Sequence, residues 1–494
     1  MYLGIDLGTS ELKLVLLATR GQVEASARMP LQVSRPQPLW SEQLPQHWWH
    51  ALDGAMAQLA ASHPAALRAV RGIGLSGQMH GAVLLDGDDA VLRPAILWND
   101  GRSAAQCEAL MREVPDLTRI AGNLAMPGFT APKVAWVREH EPELYARIAR
   151  VLLPKDYLRL RLTGEAISDM SDASGTLWLD VAQRDWSDTL LAATGLTRAQ
   201  MPALVEGSAP GGRLLGELAR RWGLPEDTVV AGGGGDNAAS AVGIGAVEPG
   251  QGFVSLGTSG VIFVASDAFR PNPASAMHAF CHALPGRWHQ MSVMLAAASA
   301  LDWAARLTGQ PDVATLLARA TTLDAAQRRR APLFLPYLSG ERTPHNDPCA
   351  QGVLFGLTHA HDAAALGWAV LEGVSFGLLD GLHSFALPAA ALPPRLALVG
   401  GGARSALWGD LLASVLGIEL EVHAGSEAGG ALGAARLGWL AAGGTLAEVC
   451  RAGGVPARVH RPDAAWAPAL RERHGRFRAL YPALAPHFHA GAVS

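Results

Sequence analysis

Two stretches far apart in the chain share one grammar: a β-rich run, a Gly-Thr-Ser turn and a second β-rich run. Near the start, Leu3-Gly4-Ile5-Asp6 and Glu11 to Leu17 flank Leu7-Gly8-Thr9-Ser10. In the second half, Gly252 to Leu256 and Val261 to Ala265 flank Gly257-Thr258-Ser259-Gly260. Short turns between such runs predict hairpins, and Gln22 to Met29 supplies a third strand to an antiparallel start. Residue identity between the two regions is weak, so the repeat is one of architecture. Two copies of one architecture divide the 494 residues into similar halves, 1–245 and 246–494, with the two turns facing each other across a cleft.

The remaining pattern is α/β. Trp48, Trp49, Leu52, Met56 and Leu59 recur at three and four residues and predict one apolar helix face after Ser41-Glu42-Gln43. Strands are expected at Val70 to Leu75 and Ala82 to Asp86, and helices at Ala104 to Glu113 and Lys133 to His140. In the second half the pattern predicts an Ala-rich helix over Val293 to Thr308 and a strand over Arg395 to Val399. A helix over Ala406 to Leu416, a strand over Ile418 to His423 and a helix over Gly429 to Ala442 follow. The last fifty residues read as peripheral helix and tail.

Composition removes several function classes. A formal net charge of −4 lacks the basic surface that nucleic acid or an anionic membrane calls for. No uninterrupted apolar run approaches the ~20 residues of a membrane helix, and Met1 to Asp6 shows no secretory pattern. Four cysteines, Cys107, Cys281, Cys349 and Cys450, lie far apart without C-x-x-C spacing. The expectation is a cytoplasmic protein without a zinc cage or disulfide framework.

Phosphate binding is the first question that 55 glycines raise. None of the three lysines, Lys13, Lys133 and Lys155, follows a glycine, which excludes a P-loop. Gly72, Gly74 and Gly77 spell G-x-G-x-x-G, but the next element is the strand Ala82 to Leu85 rather than a helix, so they read as a glycine-rich strand end. No G-x-S-x-G surrounds Ser76, Ser259 or Ser339. What remains is a tight turn that points backbone N–H groups at phosphate oxygens beside a metal-binding carboxylate. In Asp6-Leu7-Gly8-Thr9-Ser10, Gly8 allows close approach, Thr9 and Ser10 add hydroxyls, and Asp6 can hold Mg²⁺ through water. Gly257 and Thr258 repeat that chemistry, and Gly400-Gly401-Gly402-Ala403-Arg404-Ser405 offers bare backbone to an adenosine.

Asp236 follows Gly232 to Gly235 at the end of a β-run, where substrate can approach unobstructed. Capping of the helix that starts at Asn237 is a compatible second role. His80 and Asn99-Asp100 stand after strands, where polar groups can hydrogen-bond a polyol. His278 and His282 have helical i, i+4 spacing but no intervening Glu, a weak zinc pattern.

At this point the chain resembles a known family. Gly128-Phe129-Thr130-Ala131-Pro132-Lys133-Val134-Ala135-Trp136-Val137-Arg138-Glu139-His140 resembles the first signature of the FGGY carbohydrate kinases. Gly352 to Leu357, continuing to Ala369-Val370-Leu371-Glu372, resembles the second. Pro38 to Gln43, Gln78 to Gly81 and Leu153-Pro154-Lys155-Asp156-Tyr157-Leu158 extend the likeness to nearly the whole chain. The resemblance implies an actin-like ATPase fold of two ribonuclease-H-like domains around a cleft. Residues 1–245 would form the sugar-binding and catalytic domain and 246–494 the ATP-binding domain.

The implied reaction is ATP-dependent phosphorylation of D-xylulose at O5, with ATP and Mg²⁺ as cofactors. A kinase for another pentulose or polyol, or an actin-like ATP-driven switch, are the alternatives. The implied partners are sugar and ATP, and a homodimer stays open. Asp236 would take the proton of the attacking hydroxyl and Asp6 would act on metal and phosphate. Met79 and His80 match the sugar-contact segment, with Gln78, Asp100 and Asn237 completing the expected sugar site. ATP would meet Gly8, Thr9, Ser10, Gly257, Thr258, Gly401, Gly402 and Ser405. Three positions depart from the family pattern. Glu11 puts negative charge near the phosphates unless it points away, the glycine run before Asp236 is one residue longer, and Ala365 replaces a polar residue.

Overall fold

The computed structural model describes residues 1–388, 391–423, 429–450 and 455–490. Strand β1 (Tyr2–Leu7) pairs antiparallel with β2 (Glu11–Leu17), and β2 with β3 (Val23–Pro30). Helix α1 (Pro45–Ser62) starts on a proline, whose missing N–H costs nothing at a helix start, and buries Trp48, Trp49, Leu52, Met56 and Leu59 as its spacing predicts. Strand β4 (Gly72–Gly77) then lies parallel to β1 on its free side. Helices α2 (Thr130–His140), α3 (Pro154–Thr163) and the single turn α4 (Met170–Ser174) follow. Strand β5 (Pro210–Arg213) is antiparallel to β6 (Val229–Ala231), and β6 is parallel to β4. The two-residue β7 (Gly234–Gly235) also pairs with β4 and leads directly into α5 (Asp236–Ile244).

The second half repeats this plan. Strand β8 (Gly252–Leu256) pairs antiparallel with β9 (Gly260–Ser266). An extra strand β10 (His278–Cys281) lies outside β11 (Trp288–Met294), and β11 is antiparallel to β9. After α6 (Ala298–Leu307) and α7 (Ala363–His383), β12 (Arg395–Val399) lies parallel to β8. Helix α8 (Ala406–Leu416) leads to β13 (Glu419–Val422), parallel to β12. Helix α9 (Gly429–Ala441), strand β14 (Arg458–His460), antiparallel to β13, and helix α10 (Ala467–His489) complete the described chain. The orders β3-β2-β1-β4-β6-β5 and β11-β9-β8-β12-β13-β14 match strand for strand and in every direction of pairing. Each Gly-Thr-Ser turn joins the same two strands of its sheet, so the repeat expected from the turns is present in the fold.

The two sheets are tied by a helix from the second half that packs on the first. Successive side chains on a strand alternate faces, so Gly72 and Gly74 lie on one face of β4, and Gly4 is the register partner of Gly74 on β1. A Cβ on Gly4 would stand 1.9 Å from the Ala431 carbonyl oxygen, and one on Gly74 would stand 1.8 Å from that of Ala434. On the other side of α9, a Cβ on Gly433 would stand 1.7 Å from the Ala239 oxygen of α5. Helix α9 is thus wedged backbone to backbone between the first sheet and α5. Tyr2 stacks on Trp439 at 4.9 Å at the end of the same seam. The glycines of β4 are therefore packing residues along the whole strand rather than only a strand end.

Four other expectations change. Val293 belongs to β11, and the helix begins only at Ala298, because the apolar run continues a strand buried on both faces before it turns. His278 and His282 do not share a helix face, since 278–281 is a strand. One helix, α7, is long and apolar enough to cross a membrane, with a mean hydropathy of 1.3, although Glu372 and Asp380 interrupt it. Its apolar window is 83% buried inside the protein, which makes it a core helix. The terminal helix α10 is structural: Arg473 donates to Glu372 of α7 from Nε at 2.8 Å and Nη2 at 2.5 Å, and to the Arg329 and Ala331 carbonyls.

The seam gives a direct expectation for stability. Gly74→Ala should cost about 3 kcal/mol, the upper range for overpacking, and lower the urea midpoint. Gly475→Ala in α10, where a Cβ meets nothing within 4 Å, should leave it unchanged or slightly raised. Equal midpoints for the two variants would mean that α9 is not seated on β4.

Candidate active site

Asp6 is the last but one residue of β1, beside Ser76 of β4, and the start of α9 lies against it: a Cβ on Gly430 would be 2.6 Å from Asp6 Oδ2. Burial raises the Asp6 pKa, opposed by the neighbouring Ser76 hydroxyl and the Lys13 charge. Asp236 opens α5 with Gly235 as N-cap, so it is the first helical residue and its side chain makes no cap. Its Oδ1 accepts from the Asn237 N–H at 2.7 Å and Nδ2 at 2.9 Å. Burial first, then the Asp6 charge, pushes the Asp236 carboxyl up to about 6. The fold thus brings the two expected catalytic carboxylates together from the end of one strand and the start of one helix.

Met79 and His80 share this corner. A Cβ on Gly235 would stand 2.8 Å from Met79 Cγ and Sδ, and one on Gly175 would stand 2.5 Å from His80 Nδ1. His80 Nδ1 lies 2.6 Å from the Gly175 carbonyl, which places the ring proton on Nδ1 and leaves Nε2 as an acceptor. Burial, then the Lys133 charge, pushes its pKa down to about 3, so the ring is neutral. Phe129 packs edge-on at 4.7 Å. His80 holds a positive φ of 70°, costly for a residue with a Cβ. Its carbonyl is clamped by Lys133 Nζ at 2.8 Å and Thr130 Oγ1 at 3.1 Å. Lys133 is fully buried, donates also to the Gly128 carbonyl, and is pushed down to about 7 by burial.

Two expected sugar ligands serve as braces. Both Asp100 oxygens are taken: Oδ2 by the Ser41 N–H at 2.6 Å and Arg102 Nη2 at 2.7 Å, Oδ1 by Arg102 N and Nε. Gln78 accepts from Thr9 Oγ1 at 3.1 Å and donates to Gln43 Oε1 at 3.0 Å.

The turns are likewise built before any phosphate arrives. The Gly8 N–H donates to Glu11 O, and the Thr9 hydroxyl, spent on Gln78, accepts from Trp98 Nε1 at 3.0 Å. The backbone amides of Thr9 and Ser10 make no bond among the described residues, and they are the donors left for an oxyanion. Glu11 reaches toward Arg28 on β3 at 3.5 Å, away from the turn. In the second turn, Gly257 O and Thr258 O accept from the Ala298 and Ala297 amides, which seats the turn on the start of α6. Gly400, with φ of 88°, presses on that same place: its Cβ would stand 2.7 Å from Leu256 O. Gly402 also meets Leu256, so Gly401 and Gly402 join Gly257 and Thr258 in one neighbourhood. Ser405 caps α8 through Trp408 N at 3.3 Å.

The Asp6 carboxylate, with Asp236 as its charged neighbour, offers the oxygen donors that a divalent cation takes. Among the described residues no third carboxylate, His or Cys forms a three-ligand cluster with them; the cluster that exists, Asp347, Cys349 and His489, lies elsewhere. A cation here would keep ligand positions for water and phosphate, as Mg²⁺ does.

Comparison with known proteins identifies the family. Residues 1–243 match the N-terminal domain of the FGGY family of carbohydrate kinases and residues 252–442 its C-terminal domain. The chain belongs to that family. It is 54% identical over 488 residues to a xylulose kinase of Escherichia coli K12, covering 98% of this chain and 99% of that protein. It is 56% identical over 442 residues to one of Klebsiella pneumoniae, covering 89% and 90%. A crystal structure of a xyloylose kinase from Brucella ovis superposes with a TM-score of 0.94 at 50% identity, covering 98% and 99%.

The paired carboxylates make a titration prediction independent of function. Asp6→Asn removes the charge that helps raise Asp236, so the Asp236 carboxyl should titrate lower than in the parent, by NMR of the side-chain carbon. An unmoved midpoint would mean the two are not neighbours.

Proposed function

We propose that this protein transfers the γ-phosphoryl group of ATP to O5 of D-xylulose, giving D-xylulose 5-phosphate and ADP. The observation that carries the reading is Asp236: a carboxylate pushed up to about 6, standing between Asp6 and the Met79–His80 segment. The relatives that share about half of its residues across nearly the whole chain are xylulose kinases, which supports the choice of sugar.

Phosphoryl transfer asks mostly for alignment and charge neutralisation. The O5–H bond breaks, the O5–phosphorus bond forms, and the bond from phosphorus to the ADP oxygen breaks. Asp236 accepts the O5 proton through its carboxylate, with Oδ1 fixed by Asn237. A pKa near the working pH suits a group that must take a proton and give it back. His80 Nε2, an acceptor on a neutral ring, receives a sugar hydroxyl, while Met79 packs the apolar side of the sugar against Gly235. The free amides of the two turns bind phosphate oxygens. Magnesium, held through water by Asp6, would neutralise charge on those oxygens as a Lewis acid. The first half, 1–245, holds the sugar, and 246–494 holds the nucleotide around Gly257, Thr258, Gly401 and Gly402. ATP supply places the reaction in the cytoplasm.

An ADP-release assay over a sugar panel tests the substrate: D-xylulose should exceed ribulose and glycerol at least tenfold in kcat/KM. Ribulose or glycerol in first place would replace the substrate, and ATP turnover indifferent to every sugar would indicate a nucleotide-driven switch. Asp236→Ala should lower kcat by about 10²–10⁴, the usual range for loss of a general base. In the parent, kcat/KM should fall as pH drops through about 6, because the protonated carboxyl cannot accept the O5 proton. A profile flat to pH 5 contradicts the role of Asp236.

A further inference from the structure

Beneath the glycine run lies a cluster of five charged side chains that this mechanism does not use. Lys155, Asp156 and Arg159 of α3, with Asp169 and Asp172 at α4, are all fully buried. Lys155 Nζ lies 2.5 Å from Asp156, 2.8 Å from Asp169 and 3.2 Å from Asp172. Three carboxylates face two cations. Burial, then the Asp156 and Asp169 charges, raises the Asp172 pKa well above the usual carboxylate range.

Two arms leave this cluster, and both end on the loop before Asp236. Arg159 forks across consecutive carbonyls, from Nη1 to Ala231 O at 2.5 Å and from Nη2 to Gly232 O. Asp169 Oδ2 accepts from the Ser171 hydroxyl at 2.5 Å, and that hydroxyl accepts the Gly235 N–H at 3.1 Å. The intervening Gly233 has φ of 81°, a conformation that glycine adopts freely and so does not hold by itself. We infer that Arg159 and Ser171 are positioning residues for phosphoryl transfer, passing the rigidity of the buried cluster through the 231–235 backbone to the Asp236 carboxylate. This rests on Asp236 being the base.

Ser171→Ala removes the acceptor of the Gly235 N–H while the backbone amides of 171 and 172 still bond Asp169. Steady-state kinetics should show kcat for D-xylulose falling about 10- to 100-fold, the cost of misplacing a reacting group by an ångström. KM for ATP should stay within about twofold, and Ser171→Thr, which keeps the hydroxyl, should restore most of the rate. Arg159→Lys, whose ammonium cannot fork across two carbonyls, should give the same split. Hydrogen exchange at 233–236 should quicken in folded Ser171→Ala. A parental kcat per folded molecule in both Ser171→Ala and Arg159→Lys, or unchanged exchange, overturns the inference. Asp236→Asn, run in parallel, separates the two claims: if it stays active, the base assignment fails; if it is dead while Ser171→Ala and Arg159→Lys are both unimpaired, only the positioning role fails.

Discussion

Everything at the cleft depends on one contact in which side chains are absent. Helix α9 meets β1, β4 and α5 through Gly4, Gly72, Gly74, Gly243 and Gly433, at separations that no Cβ could share. Close backbone approach brings many atoms into dispersion range and leaves no room to slide, since interiors pack near crystal density. The helix belongs to the second half of the chain yet lies on the sheet of the first. Its first residues therefore stand over Asp6, and α5, which carries Asp236, is pressed against its other side. Both carboxylates take their positions from this seam.

Charge does the finer placement. Buried ion pairs are poor sources of net stability, because desolvation offsets much of their attraction, but breaking one is costly. This chain puts such groups where a particular geometry matters. Arg473 and Glu372 lock the terminal helix onto the core helix α7. Lys133 spends its ammonium on two carbonyls, one of them that of His80 in its unfavourable backbone conformation. The cluster around Lys155 lies under the glycine run. Of three lysines, two, Lys133 and Lys155, are fully buried, and their ammonium groups are engaged by protein oxygens.

Much of the architecture was legible in the sequence because hairpins and strand–turn–helix units are local. The two Gly-Thr-Ser turns announced the repeat, and the pairing order confirms it strand by strand. Asp6, Asp236, Met79 and His80 were legible as a group once the family signatures were recognised. What stayed hidden is tertiary. Nothing local distinguishes an apolar strand such as β11 from the start of the helix that follows it. Asp100 read as a ligand from its place after a strand and Gln78 from the family resemblance, and Ser41, Arg102, Thr9 and Gln43 arrive from elsewhere to bond them. Arg159 and Ser171 carried no motif of their own. The one missed signal was glycine spacing: Gly72 and Gly74, two apart on a strand, mark a face from which side chains are excluded.

If the proposed reaction holds, seam and charge cluster together keep Asp236 at the reacting hydroxyl, between the two Gly-Thr-Ser turns. The most direct measurement is a crystal structure with D-xylulose and a non-hydrolysable ATP analogue. The expected result is an Asp236 carboxylate oxygen about 2.6–3.2 Å from O5, and terminal phosphates between the Thr9–Ser10 and Thr258–Ser259 amides. A sugar whose O5 pairs with another side chain, or a nucleotide bound away from both turns, would contradict it.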